Sequence, residues 1–470
     1  MTGAHGAAGT VHGVTSVRTE LDRARLEALL ERERNAFSRS HPRSVELAAR
    51  ARGSLLHGVP MPWMAKWAGG VPVFLAEAHG SRVVDVDGHE YVDVALGDTG
   101  AMPGHSPPPV VDAVIDRLRR QGGATTMMPS EDAPAVGEEL ARRFGLPAWQ
   151  FALSATDANR FVLRMCRQVQ RRPRVLIFQW SYHGTVDETV AALAADGRVV
   201  PKPGNVGPPV DPALTTKVVE FNDPDAVRSA LAPRDVACVL AEPAMTNVGI
   251  VLPAPGFLAA LEEACAATDT LLVYDETHTW SAGAGGCVRA WALEPDAVTL
   301  GKALAGGVPI GAYGVSAALR DRIAADSEGD YLDWGGVGGT LAGNALSLAA
   351  ARATLAHVLT EEAFERMAET CARYVAGVEA VMARHGAPWS IARLGARAEI
   401  HFTPGPPRSG GEAHAAVDPL LDDLLHAALL NRGVMLTPFH NMALMGPTTT
   451  AHDVDRIVAA LDAVVGELFA

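Results

Sequence analysis

Cysteine is scarce in this chain and basic residues are outnumbered, and each shortage removes a class of function. The five cysteines (Cys166, Cys238, Cys265, Cys287 and Cys371) lie far apart with no CxxC spacing. An odd, scattered set argues against a disulfide framework and against a zinc site. They read as small buried residues of a reduced compartment, and no metal is expected. Lys and Arg number 40 against 54 Asp and Glu, for a formal net charge of -14. No basic block could neutralise a row of phosphates, so nucleic acid is not an expected partner; the acidity reads as an aid to solubility. No uninterrupted apolar stretch reaches the ~18 residues of a membrane span. The opening MTGAHGAAGTVHGVTSV lacks the basic start and apolar run of a signal peptide. A cytoplasmic protein without membrane contact is the expectation.

What is present is an ordinary globular composition, 48% hydrophobic and 20% charged over 470 residues. That length allows two or three domains of ~100–200 residues each. The first ~15 residues, rich in Gly, Ala, His and Thr, are expected to be disordered, while Leu21 to Phe37 has helical spacing. From Val71 to Val94 the segments VPVFLAEA, SRVVDVDG and HEYVDVAL alternate apolar and polar residues, with Asp87-Gly88 as a tight turn, which predicts a small antiparallel sheet. Beyond Pro109, helical patterns (Val111–Gln121, Glu131–Arg143) alternate with strand patterns (Arg174–Phe178, Val236–Ala241, Thr270–Tyr274, Ala297–Leu300). That alternation predicts a parallel sheet with crossover helices. A long helical pattern after Gly343, another over Met367–Arg384, the strand-like AEIHFTP and a final helix from His452 predict a C-terminal α+β section. Residues 404–415, PGPPRSGGEAHA, read as a surface loop. No internal repeat is evident.

Four elements carry chemistry. In AVTLGKALAGGVPIGAYGVS, Lys302 ends an apolar strand; a desolvated, partly deprotonated lysine can attack an aldehyde, although a solvent-exposed strand-end lysine fits the pattern too. In LLVYDETHTW a strand ends in Asp275 and Glu276. A buried carboxylate there needs a cationic partner, such as a protonated pyridine nitrogen acting as electron sink; a metal-binding Asp-Glu pair is the competing reading. The strand period of two would put Asp275 and Thr277 on one side. In ALSATDANRFVLRMCRQV, the turn Ser154-Ala155-Thr156 opens an amphipathic helix whose free N–H groups suit a phosphate, or are simply capped by Ser154 or Thr156. In WSYHGTVDET, Tyr182 and His183 at a strand end suit stacking on a flat heterocycle, or serve only structure.

Together, YDETHTW, TLGKALAGGVPIGAYG, EPAMTNVGIVLPAPGFL, SATDAN, SYHG and GGTLAGNALS resemble the class III, fold type I pyridoxal-phosphate aminotransferases. The resemblance runs from about residue 45 to the C-terminus, within the branch of glutamate-1-semialdehyde aminomutase and the β-amino-acid aminotransferases. It implies a mostly parallel α/β sheet in a large domain (106–345), and a smaller α+β domain from residues 46–105 and 346–470 behind an extension over 1–45. It implies pyridoxal 5'-phosphate as cofactor and Lys302 as the catalytic lysine that forms the aldimine. Asp275 matches the pyridinium partner, Ala155 and Thr156 the phosphate turn, Tyr182 the stacking aromatic with His183 beside it, and Thr277 a ring contact. Glu242 and Asn247 match polar residues lining the cofactor pocket. Thr340 matches the threonine that reaches the phosphate across a homodimer interface. The implied partners are a small-molecule amino donor and an oxo acceptor, with aminotransferase activity as the main reading. An aminomutase, a racemase or epimerase, a decarboxylase, or a non-catalytic relic stand as alternatives.

The substrate side departs from the pattern. Ala155 replaces the usual Gly and Thr277 the usual Val. Met64 and Phe439 stand where arginines bind substrate carboxylates in relatives, and neither can pair a desolvated carboxylate. Asp98 stands where an aromatic often lines the pocket. These three positions predict a cationic or hydroxyl-rich substrate, or a carboxylate met by another residue such as Arg393 or Arg397.

Overall fold

The computed structural model describes residues 21–326 and 335–470; the disorder expected of the first ~15 residues lies outside the described part. Seven strands form the central sheet, in the order Ala148–Ala152, Gly311–Val315, Ala297–Leu300, Leu271–Asp275, Val236–Ala241, Arg174–Phe178 and Thr216–Val219. Gly311–Val315 runs against both its neighbours, and the other pairings are parallel. The sheet is therefore mostly parallel and flanked by helices, as expected. VACVLA and LLVYD are buried at every residue, the burial that a strand covered on both faces requires. Their carboxyl ends share one edge of the sheet, which is where α/β ligand sites gather.

A smaller α+β part joins both ends of the chain. Leu75–His79, Arg82–Asp85 and Glu90–Asp93 form an antiparallel sheet, and Val434–Met435 adds to it alongside Glu90–Asp93. A second antiparallel sheet combines Ser390–Leu394, Arg397–His401 and Met442–Leu444. The helices Glu361–His385 and Ala451–Phe469 pack together, as do Arg23–Ser40 and Pro419–Leu430. Phe37 is fully buried, worth about 1.5–3 kcal/mol of apolar burial. Next to it His41 fastens the N-terminal helices to the sheet, its Nδ1 2.7 Å from the Phe37 carbonyl and its Nε2 2.7 Å from the Tyr91 hydroxyl. All five cysteines are free and buried. Among the described residues no helix is long and apolar enough to cross a membrane.

Three element expectations change. The helix expected over Val111–Gln121 begins at Pro108, because proline suits a first turn, and it ends in a π turn over Arg117–Gln121. The expected loop 404–415 closes on a short helix, Gly410–Ala416, because Ser409 caps it by accepting from the Glu412 N–H at 3.2 Å. The strand Leu271–Asp275 ends at Asp275, so Thr277 lies beyond it and the strand period does not set its direction. A turn does: the Thr277 N–H donates to Asp275 Oδ1 at 3.1 Å.

Candidate active site

A cavity of about 470 Å³ opens at the carboxyl edge of the central sheet. Its lining brings together Lys302, Asp275, Thr277, Ala155, Thr156 and Tyr182, which sequence reading had placed in one site, with His278 and Trp63 beside them. They arrive from several strand ends and one helix start, which is what a parallel sheet with crossovers produces.

At one end stands Asp275, almost fully buried. Its Oδ2 accepts from Asn159 Nδ2 at 2.8 Å and lies 3.0 Å from His183 Nδ1, while Oδ1 accepts from the Thr277 N–H. Burial alone would raise the carboxyl's pKa; the bonds from His183, Thr277 and Asn159 outweigh it and hold Asp275 ionised, well below the usual range. Asn159 is tied in turn by the Thr299 hydroxyl at 2.6 Å. The sequence reading missed Asn159. Its signal was a polar residue among Ala158, Phe161 and Val162 on the buried face of the helix Ala155–Gln170.

The N-terminus of that helix faces the cavity. Ser154 caps it, accepting from the Asp157 N–H at 3.2 Å, so the capping reading is correct. The cap leaves the amide groups of Ala155 and Thr156 at the cavity wall, and Ala155 is the first helical residue with negative φ, so a glycine is not required there. The surroundings are close-fitted: a Cβ on Gly301 would meet Ala155 Cβ at 2.7 Å, and one on Gly184, whose φ is +81°, would collide with Thr156.

Lys302 lines the cavity. Its Nζ donates to Asp98 Oδ2 at 2.6 Å and lies 2.7 Å from His278 Nε2. The Asp98 Oδ1 atom is buried with no hydrogen-bond partner. Burial opposes ionisation of Asp98, but the Lys302 ammonium beside it holds its pKa far below the usual carboxylate range. For His278, burial first and then the Lys302 charge hold the imidazole pKa well below its ordinary value. Its Nδ1 lies 2.9 Å from Thr99 Oγ1, which also accepts from the buried Arg397. The motif YDETHTW contained His278, yet the residue received no role from sequence.

A family model for aminotransferase class-III matches residues 63–465. The chain belongs to the class-III aminotransferase family. It is 34% identical over 425 residues to a glutamate-1-semialdehyde 2,1-aminomutase of Sorangium cellulosum, a match covering 89% of this chain and 95% of that protein. Among solved structures, a glutamate-1-semialdehyde-aminomutase from Pseudomonas aeruginosa PAO1, a lysine-to-alanine variant in complex with PMP, superposes with a TM-score of 0.92 at 50% identity, covering 95% of this chain and 99% of that one. A β-phenylalanine aminotransferase from Variovorax paradoxus superposes with a TM-score of 0.82 at 27% identity, covering 94% and 97%. As a class-III protein the chain has fold type I and uses pyridoxal phosphate.

The class-III cavity fits that cofactor by its own chemistry. An ionised, desolvated carboxylate at Asp275 suits a pyridinium nitrogen, the capped helix start at Ala155 and Thr156 suits a phosphate, and Lys302 lines the same cavity. The remaining expected residues sit further out. Glu242 is buried and accepts from the Thr246 hydroxyl and N–H, and Asn247 Nδ2 donates to the Trp180 carbonyl at 3.1 Å. Neither lines the cavity; both brace the strand ends behind it. His183 is buried beneath Asp275 rather than beside the ring position of Tyr182. Met64 is 44% exposed and outside the cavity lining, because the short helix Pro62–Ala65 presents Trp63 instead. Trp63 carries Tyr182 on one side, ring centroids 5.6 Å apart, and Phe439 on the other at 5.5 Å. Arg393 is exposed and donates to the Ala368 carbonyl at 3.2 Å. Thr340 is exposed and lines a second cavity of about 320 Å³ with Met127 and Met128, away from Lys302 of its own chain.

Proposed function

We propose that this class-III enzyme moves an amino group between adjacent carbons of one amino-aldehyde substrate, an aminomutase reaction, with Lys302 moving the proton. The observation carrying this reading is the 50% identity, over nearly the whole of both chains, to a protein named glutamate-1-semialdehyde-aminomutase. It replaces net transfer to a separate oxo acceptor as the main reading.

When bound, pyridoxal phosphate supplies an electron sink next to the substrate nitrogen. The rest falls to the chain's own groups. Lys302 Nζ carries protons to and from the reacting carbon, and Asp275 keeps a negative charge where a ring nitrogen would hold its proton. The helix start at Ala155 orients a phosphate, and Trp63 with Tyr182 walls the site against water. No arginine lines the cavity among the described residues, which supports a substrate whose recognition differs from a carboxylate held at Met64 or Phe439.

The test is to supply glutamate-1-semialdehyde alone and follow its isomer by chromatography. Isomer formation without any added oxo acid supports the reading. A strict need for a separate acceptor would return the chain to the aminotransferases, the class of the Variovorax neighbour.

A homodimer is part of the same proposal. Met127 is 78% exposed and Met128 67%, apolar surface that a monomer rarely shows in one patch. Thr340 stands among them, free to serve a second copy's site. Sedimentation of the wild type at twice the chain mass, lost in Met127→Asp, supports this; a wild-type monomer ends it.

A further inference from the structure

Around Lys302 the structure builds more than a counter-ion. His278 comes from the turn after the strand Leu271–Asp275, and its Nε2 lies 2.7 Å from Lys302 Nζ, as close as the Asp98 carboxylate on the other side. The imidazole lines the cavity itself. The charged Lys302 has only donors, so Nε2 must accept from it and the neutral imidazole keeps its proton on Nδ1, 2.9 Å from Thr99 Oγ1, an oxygen that also accepts from Arg397. With Nδ1–H donated to Thr99, the Nε2 lone pair faces Lys302. The charged groups around the imidazole are Lys302 and Asp98 nearest, then Arg397 and Asp275.

We propose that His278 is a second proton carrier of the active site, taking a proton from the Lys302 ε-nitrogen and returning it. One Nζ–H bond breaks and its electron pair stays on Nζ as the lone pair an amine nucleophile needs. One Nε2–H bond forms, and Nδ1–H stays on Thr99. The positive charge moves from lysine to imidazole within reach of the same Asp98 carboxylate, so the number of buried charges does not change. Burial makes protonated His278 costly, and a charged Lys302 adds to that cost, which makes the carrier transient: it takes the proton only as lysine gives it up and does not keep it. The role depends on the cofactor's aldehyde, not on where the substrate's amino group ends.

The test uses the full chain, freed of cofactor and resupplied with pyridoxal 5'-phosphate, following the visible absorbance of lysine-bound cofactor from pH 6 to 10. In His278→Gln the rate at pH 7 is expected to fall about 10- to 100-fold, the low end of general-base effects. It should recover towards the wild-type value at high pH, where solvent hydroxide replaces the imidazole as the base, with the final absorbance unchanged. In His278→Ala, added imidazole should restore the neutral-pH rate in proportion to its concentration. A wild-type rate and profile in His278→Gln overturns the proposal. So does an equal loss at every pH without response to imidazole, the result of a residue that only holds Lys302 in place. Should the Gln variant fail to fold, the imidazole arm decides alone. Since no substrate enters this assay, failure of the amino-shift reading leaves it standing, and its own failure leaves that reading intact.

Discussion

Asp98 and Lys302 meet at 2.6 Å, and both hold left-handed backbone, at φ +50° and +47°. Asp98 belongs to a run of four such residues, Leu96 to Thr99, with φ between +43° and +79°. Only Gly97 among them adopts it freely; for the others it costs about 1–2 kcal/mol each. The backbone bends against its preference to deliver a carboxylate to a lysine, a pattern found where strain serves a site.

Replacing Asp98 separates that strain from the charge. Asp98→Gly and Asp98→Ala both remove the carboxylate, but only glycine relaxes the turn. Thermal unfolding should find the Gly variant more stable than the Ala variant by about 1 kcal/mol. Equal stabilities would mean that the turn stores no strain at this position.

Asp275→Asn removes the negative charge and keeps one acceptor oxygen, enough for Asn159 or for the Thr277 N–H but not for both. Lys302 should still bind the cofactor, so the visible absorbance persists. Turnover should fall about 10²–10³-fold, the usual loss when one preorganised electrostatic group is removed. Steady-state kinetics beside an absorption spectrum checks both halves.

Glu276 gives a pH prediction independent of catalysis. It is fully buried, accepting from the Thr279 hydroxyl and from the Val288 N–H at 2.6 Å, and burial pushes its pKa up to about 7. The folded chain then holds a proton that the unfolded chain releases above its ordinary carboxylate range, so stability is greatest below that range and falls as pH rises towards 7. A shift of this size amounts to about 3 kcal/mol. In Glu276→Gln the proton is no longer needed. Denaturant unfolding at pH 5 and 7 should therefore show the wild type losing stability relative to the variant over that interval; parallel curves would refute it.

Much of this site was legible in the sequence because strand ends announce themselves. VLIFQ, VACVLA, LLVYDE and AVTLGK each run apolar and stop at a polar residue, so Asp275 and Lys302 could be placed near the same edge. What escaped were residues whose role depends on tertiary approach. Asn159 is one polar side chain on a helix until Asp275 and Thr299 close around it, and His278 is one letter of a turn until Lys302 arrives from 24 residues downstream. The strand Gly311–Val315 carries two glycines and gave no strand pattern, although its backbone fits between two neighbours where a Cβ on Gly311 would strike Ser154. Met64 and Trp63 were exchanged because a single-residue offset in a 3-10 turn rotates the face presented.

That glycine-bearing strand also makes the phosphate-facing turn depend on a segment distant in sequence. Among the described residues, Ala148–Ala152, which leads into the phosphate-facing turn, reaches the rest of the sheet only through Gly311–Val315, some 160 residues later in the chain. Until that late segment slots between its two partners, the Ser154 turn and Lys302 belong to separate pieces of chain. A chain cut before this strand would lack the bridge that joins the Ser154 turn to Lys302 within the sheet.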